Sequence, residues 1–316
     1  MNTFGRTIGL TIFGESHGLS IGAVLDGLPS GEAIDWDAVR AEMARRAPGK
    51  NKMSTARSEK DAFEVQSGFF NGHTTGTPLC AIIRNSDQHS RDYDQLRHIM
   101  RPGHADYSGK IRYGGFNDYR GGGHFSGRLT APLVFAGAVA SQILARHGIT
   151  IGSHILRLAG IADKPFDAAG ETAETLQALK KETLPVLDKA QAGPMEEKIL
   201  EAKNDLDSVG GVIECMVTGL PAGIGDPFFD SVESQLSHMM FSVPAVKGIE
   251  FGDGFALADL RGSQANDAFY YDGDVVKTRT NHNGGINGGI TNGMPVVFRL
   301  AVKPTASISQ KQETID

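Results

Sequence analysis

The sequence predicts an antiparallel α+β fold, and three observations carry that prediction. Strand-like and helix-like segments alternate irregularly instead of repeating as strand–helix–strand units. Neighbouring strand segments are joined by short turns, and no Pro/Ser-rich or charged linker divides the 316 residues. One domain over 1–316 is therefore expected. Thr7–Phe13 and Ser20–Leu25 alternate loosely in polarity around the turn-rich Gly14-Glu-Ser-His-Gly18, which reads as a hairpin. A helix follows, with Asp35 as N-cap, Val39 and Met43 on its apolar stripe, and Pro48-Gly49 as its stop. After a mobile-looking stretch from Gly49 to Asp61 come strands at Ala62–Phe70 and Pro78–Arg84.

Arg101 to Gly127 lacks apolar periodicity and reads as a long but ordered loop, because it feeds directly into a strong helix. That helix runs from Gly127 to His147, with Ser126 as N-cap and Gly148 past its end. Further helices are expected near Ala173–Lys181, Pro194–Asp205 and Ser231–Phe241. Further strands are expected at Val212–Thr218, Val246–Phe251, Val275–Thr280 and Pro295–Lys303.

Composition narrows the function. Glycine makes up 40 of 316 residues, nearly double the usual share of about 7%, without a three-residue period. Many tight turns and close backbone approaches follow from that excess. The net charge is −6, which gives no global case for nucleic acid. Locally the balance reverses: Arg40 to Arg128 holds fifteen Lys/Arg against nine Asp/Glu, with His73, His89, His98, His104 and His124 among them. A concentrated pocket for a small polyanion and an unevenly charged solvated surface both fit that balance. The two cysteines, Cys80 and Cys215, have no paired spacing, which argues against a disulfide scaffold or Cys-based metal site and fits a reducing cytosol. The apolar run Leu129–Ala145 is interrupted by Thr130, Pro132, Ser141 and Gln142, too polar and short for a membrane span.

Four segments can carry chemistry. Gly14–Gly18 presents Ser16 and His17 on backbone able to approach a ligand, and an imidazole there suits proton transfer or a phosphate contact. Arg101-Pro-Gly-His-Ala-Asp-Tyr107 aims a second histidine, His104, from a Pro-Gly turn. Arg120-Gly-Gly-Gly-His-Phe-Ser-Gly-Arg128 resembles an anion nest at a helix start, without P-loop or dinucleotide spacing. Asn281–Ile290 and Lys303-Pro-Thr-Ala-Ser307 combine glycine pairs with hydroxyls. Each also has an ordinary structural reading as a turn, and a metal site is disfavoured because the histidines lack helix spacing or carboxylate companions.

Taken in order, these segments resemble the chorismate synthase family. Gly14-Glu-Ser-His-Gly18 with Asp26-Gly-Leu-Pro29, Arg45-Arg-Ala-Pro-Gly49, Thr74-Thr-Gly-Thr-Pro78, Arg101–Tyr107, Gly121–Gly123 and Lys303-Pro-Thr305 match its blocks from about Phe4 to Asp316. The resemblance implies a β-α-β sandwich with helices between antiparallel sheets, a homotetramer, and a cytoplasmic lyase. It implies conversion of 5-enolpyruvylshikimate 3-phosphate to chorismate and phosphate, with reduced FMN required. His17 and His104 would be catalytic, with Ser16 and Ser126 in their hydrogen-bond network. Arg40, Arg46, Arg101 and Arg128 would hold the substrate. His124, Phe125, Ser126, Pro244, Ala245, Gly288, Lys303, Pro304, Thr305, Ala306 and Ser307 would contact FMN. Arg46 and Lys52 fall at an NADP position, although the absence of a dinucleotide fingerprint favours an external source of reduced flavin over NADPH. No nucleic-acid or membrane partner is implied.

The chain departs from the family in two places. Arg-Ser-Ser-Ala-Arg-Glu becomes His124-Phe-Ser-Gly-Arg-Leu129, and no Arg-His-Asp-Pro motif follows Lys303-Pro-Thr305. The 316-residue form is therefore expected to bind FMN weakly and turn over poorly, and a flavin- or phosphate-binding protein without this chemistry is the alternative.

Overall fold

The computed structural model describes residues 1–49, 51–54, 59–86 and 98–315. His89, and residues 50 and 55–58 of the Gly49–Asp61 stretch, lie outside them. Backbone contacts cluster into two compact units, Met1–Ile143 with Ala306–Asp316, and Leu144–Thr305.

The first unit is built on a five-stranded antiparallel sheet in the order β1-β2-β3-β7-β4. Its strands are β1 (Thr3–Phe4), β2 (Gly9–Gly14), β3 (Ser20–Asp26), β4 (Phe63–Ser67) and β7 (Leu79–Arg84); β5 (Phe69–Phe70) and β6 (His73–Thr74) form a small hairpin. The expected β2–β3 hairpin is present, with Gly14 paired to Ile21 and Gly9 to Asp26. In the next pair, Ile21 faces Ile83, Ala23 faces Ala81, and Leu25 faces Leu79. These alternate residues point to one face and are all buried, as the two-residue period of a strand requires.

Helix α1 (Trp36–Arg46) and helix α3 (Thr130–Arg146) belong to the same core, contributing Val39 and Met43, and Ala131, Phe135 and Val139. The Trp36 and Phe135 rings stack at 6.2 Å. Asp35 caps α1 by accepting from the N–H groups of Asp37 and Ala38. Its backbone also exchanges hydrogen bonds with the Gln142 side chain on α3. Truncating Phe135 to Ala would cost about 3–5 kcal/mol, since the cavity left at this junction can collapse only partly. Ser126 caps the 3₁₀ turn Gly127–Leu129 that leads into α3. By length and composition alone, 120–146 could cross a membrane. The α-helix proper has only 17 residues, however, about 26 Å at 1.5 Å per residue and short of a bilayer core, and its apolar face is already buried.

The 101–127 region is ordered, as expected, but contains helix α2 (Asp106–Arg112) and the 3₁₀ segment Arg120–Phe125.

The second unit has its own antiparallel sheet in the order β11-β16-β10-β8-β9. The strands are β8 (Thr150–Leu158), β9 (Ile161–Ala162), β10 (Gly211–Thr218), β11 (Val246–Phe251) and β16 (Val296–Val302). Strand β8 has no counterpart in the sequence reading. Its buried positions include Gly152 and His154 where an apolar pattern would have Val or Ile. Gly152 is small because a Cβ there would lie 2.7 Å from the Leu176 side chain. Helices α4 (Ala173–Leu179), α5 (Ala192–Asn204) and α6 (Val232–Met240) fall where expected, within a few residues. The smaller elements are α7 (Gly262–Ala265), the pair β12 (Phe269–Asp272) and β13 (Val275–Thr278), and the pair β14 (Ile286–Asn287) and β15 (Ile290–Thr291).

Candidate functional site

Ser16 and His17 occupy the β2–β3 turn, and both are buried despite lying in a loop. Three contacts contribute to holding them there. The Ser16 N–H donates to the Gly123 carbonyl at 3.1 Å, tying the turn to the glycine run 121–123. Gly121 lies directly against His17: a Cβ at position 121 would sit 2.0 Å from the ring Cε1 and 2.2 Å from Nδ1. The Asn85 side-chain amide donates to the carbonyls of Glu15 and Gly18 at 3.0 and 2.8 Å. All three glycines have left-handed φ values, +58°, +81° and +53°, so the run does require glycine. Its first role is sterically plain: it makes room for an imidazole.

The arginines expected to grip a ligand are matched by carboxylates. Arg101 makes a two-pronged pair with Asp106 at 2.7 and 2.8 Å, and Arg120 does the same with Asp118 at 2.9 and 2.7 Å. Burial pushes the Asp106 carboxyl up, but the hydrogen bonds and charge of Arg101 outweigh it and hold the group below the usual range. Hydrogen bonding from Arg120 lowers Asp118 likewise, with burial opposing and the nearby His17 adding to the lowering. Arg40 pairs with Asp37 on an exposed helix face at 2.5 Å. Arg46 pairs with Asp61 at 2.6 Å and donates to Thr130 Oγ1 and the Gly127 carbonyl.

Arg128 is only 4% exposed. Its guanidinium bonds Asp61, lies 3.8 Å from Glu59, and donates to Asn85 Oδ1 at 3.1 Å. Two buried carboxylates thus draw the Arg128 cation inward. Lys52 lies in the turn 51–54, where the Asn51 side chain accepts from Met53 N–H.

His104 Nδ1 lies 3.0 Å from the Pro102 carbonyl, which can only accept. In the neutral ring Nε2 is therefore left to accept from Ser307 Oγ at 2.8 Å. Two residues 203 positions apart are thus brought together. His124 Nδ1 donates to the Gly14 carbonyl at 2.8 Å, and Nε2 lies 3.2 Å from Asn2 Oδ1. His124 also lines a cleft of about 460 Å³ with Phe13, Tyr113, Phe116 and Phe125. An adjoining cavity of about 130 Å³ is lined by Arg101, Asp106, Lys110, Asp118 and Phe125, among others. Among the described residues, neither His17 nor His104 lines these two cavities; the smaller mixes charge signs, while the charged lining of the larger is acidic, Glu15 and Asp118.

Within the second unit, the Pro244-Ala245 and Lys303 blocks meet: the Lys303 N–H donates to the Ala245 carbonyl at 2.9 Å. Ala245 has a left-handed φ of +71°. Gly288 occupies the turn between β14 and β15, where a Cβ would meet nothing within 4 Å. Asn281 has a structural role, donating to the carbonyls of Ala168 and Pro295 and accepting from Gly285 N–H.

Sequence reasoning missed two buried clusters. One is Asn85 with Glu59 and Asp61, which lack any local motif. The other centres on His154, whose Nδ1 and Nε2 lie 2.9 and 3.0 Å from Asp163 and Glu214. Burial raises the Glu214 carboxyl, but hydrogen bonds from His154 and Phe166 N–H, with Arg299, hold it below its usual value.

Comparison with known proteins gives the same reading as the motifs. Residues 8–316 match the family model described as chorismate synthase. The chain belongs to the chorismate synthase family. Proteins named chorismate synthase from Chitinophaga pinensis and Dehalococcoides mccartyi are 46% and 44% identical over 317 and 315 residues, covering all of this chain and 85% of each relative. The one from Thermococcus gammatolerans is 44% identical over 312 residues, 99% of this chain and 85% of its own length. A solved chorismate synthase crystal structure superposes with a TM-score of 0.78 at 29% identity, over 95% of this chain and 85% of that one. The antiparallel α+β architecture is thus that of the family, and members of this family are lyases acting on a small molecule.

Proposed function

We propose that this chain performs the family's reaction, the 1,4-elimination of phosphate from 5-enolpyruvylshikimate 3-phosphate that yields chorismate. The observation that best supports it is the His17 turn, a buried imidazole seated on a triple-glycine run and held at both ends by one amide. A surface turn needs no such construction. Holding one imidazole in a fixed place is what proton transfer to a departing phosphate, or charge stabilisation beside it, requires. Arg40, Arg46 and Arg101 supply positive charge toward the ester's anionic groups, and Arg128 acts at one remove. Ser16 and Ser126 fix backbone around the two histidines.

The residues present fit reduced FMN. In the first unit, His104 with Ser307, and His124 with Phe125, Ser126 and Ala306, offer donors beside aromatic surface. In the second unit, Lys303 with Pro304 and Thr305, the left-handed Pro244-Ala245 turn and the open backbone of Gly288 offer a cation, a hydroxyl and unobstructed main chain. When bound, the reduced flavin supplies electron density for breaking the allylic C–O bond. The Pro102 carbonyl and Ser307 Oγ together fix the orientation of the His104 ring, and the Ser307 hydroxyl would have to yield Nε2 for that atom to take up a proton. Reduction comes from an external source, with Arg46 and Lys52 as the candidate NADPH contacts. Residues 1–316 act as one functional domain of a cytoplasmic homotetramer.

Anaerobic incubation with chemically reduced FMN and the phosphate ester tests this reading. Chorismate and phosphate should appear in equal amounts. A protein that binds both flavin and ester yet releases neither product would instead be a binder without this chemistry.

A further inference from the structure

We infer that Asn85 is a positioning residue for His17, and that the buried group Arg128, Asp61 and Glu59 exists to orient it. The inference rests on the proposed role of His17. Asn85 follows β7, yet four of its bonds converge on the β2–β3 turn and its support. Its backbone N–H donates to the Leu19 carbonyl at 3.2 Å. Its side-chain nitrogen donates to the Glu15 and Gly18 carbonyls, the two residues that bracket Ser16 and His17. Its side-chain oxygen accepts from Arg128 Nε.

Only an amide satisfies this set. Two carbonyls demand two N–H donors from one atom, and the guanidinium demands an acceptor from the other. A carboxylate would keep the Arg128 contact and lose both donations; a hydrophobe would lose all three. Arg128 cannot turn to another partner, because Asp61 and Glu59 hold it in a buried pocket where a displaced cation is costly. Glu59 also accepts from Ser86 N–H and Oγ at 3.3 and 2.8 Å, so the residue following Asn85 is tied to the same cluster. The amide is thereby fixed from behind, and the turn is fixed by the amide. With Gly121 pressed against the ring, His17 has little room to shift without a steric clash.

The test uses Asn85→Asp and Asn85→Ala beside His17→Ala in the intact protein, with three readouts. The first is steady-state kinetics, where both Asn85 variants should lower kcat by about 100-fold with KM changed less than threefold, the loss expected for an ångström-scale displacement of a catalytic group. The second is the ¹⁵N spectrum of the His17 ring, which should change in both variants while the His154 signals stay fixed. The third needs no substitution: in the unaltered protein both Asn85 side-chain amide protons should exchange at least 100-fold slower than those of a free amide.

Rapid exchange of those protons overturns the inference even if no variant folds. So does an unchanged His17 spectrum, or an equal loss of kcat and thermal stability restored by any residue of similar size. If the His17 spectrum shifts but His17→Ala itself retains full turnover, the proposed function of His17 has failed while the positioning by Asn85 stands.

Discussion

Two buried histidines, one in each unit, have opposite surroundings. His17 sits in a turn, packed on glycine and held through its backbone neighbours by Asn85. His154 sits in the middle of strand β8, with carboxylates at both ring nitrogens and the Phe166 ring against it edge-on at 4.4 Å. The restraint on His17 acts on the main chain. The restraint on His154 is spent on the imidazole itself, whose two nitrogens each lie within hydrogen-bond reach of a buried carboxylate. A ring so fully bonded can stabilise a fold but has little left to offer a substrate. The contrast separates a positioned reagent from a structural side chain, although burial alone would rank His154 first.

The comparison can be broken most decisively at its ends. His17→Ala should lower kcat by about 10²–10⁴-fold while leaving the denaturation midpoint nearly unchanged, read by product formation and chemical unfolding on the same preparation. His154→Ala should do the reverse. Removing the partner of buried Glu214 and Asp163 should cost about 3–5 kcal/mol in unfolding free energy, with turnover per folded molecule retained. An inactive but fully stable His154→Ala protein would contradict the assignment.

A pH series sharpens the same contrast. The Glu214 carboxyl titrates lower in the folded than in the unfolded chain, so its stabilisation is complete above about pH 4.5 and fades as pH falls through the folded value. The unfolded state binds more protons in that window, hence stability rises with pH across it. Glu214→Gln should flatten this acid limb of the stability curve and leave the curve above pH 5 parallel to that of the unaltered protein. The smallest effect is expected at Ser307→Ala. Losing one hydroxyl donor to His104 should reduce kcat by about tenfold or less, with a change in the His104 ring spectrum as the accompanying sign.

These regions also differ in how far the sequence disclosed them. The Gly14–Gly18 turn was legible because glycines bracketing a Ser-His pair between two alternating segments have few other readings. Ser126 and Asp35 were legible as caps for the same local reason. The β-strand around His154 was not, since its inward positions are glycine and histidine and the period-two signal fails where a polar network replaces an apolar core. Asn85 was invisible for a different reason. Its importance lies in three partners between 43 and 70 residues away, and one asparagine after a strand has no local pattern. The charge count of the basic segment includes its nine acids but carries no information on pairing: nothing local in the sequence places Asp106, Asp118 and Asp61 within bonding reach of Arg101, Arg120, Arg46 and Arg128.

The first unit is assembled from both flanks of the second, since Ala306–Asp316 packs with Met1–Ile143. During synthesis at about 5–20 residues per second, the His104 imidazole emerges some 10–40 s before Ser307. Throughout that interval the nascent polypeptide carries one half of the pair without the other. Full assembly of this corner is therefore a late event in the life of each molecule, timed by translation as well as by chemistry.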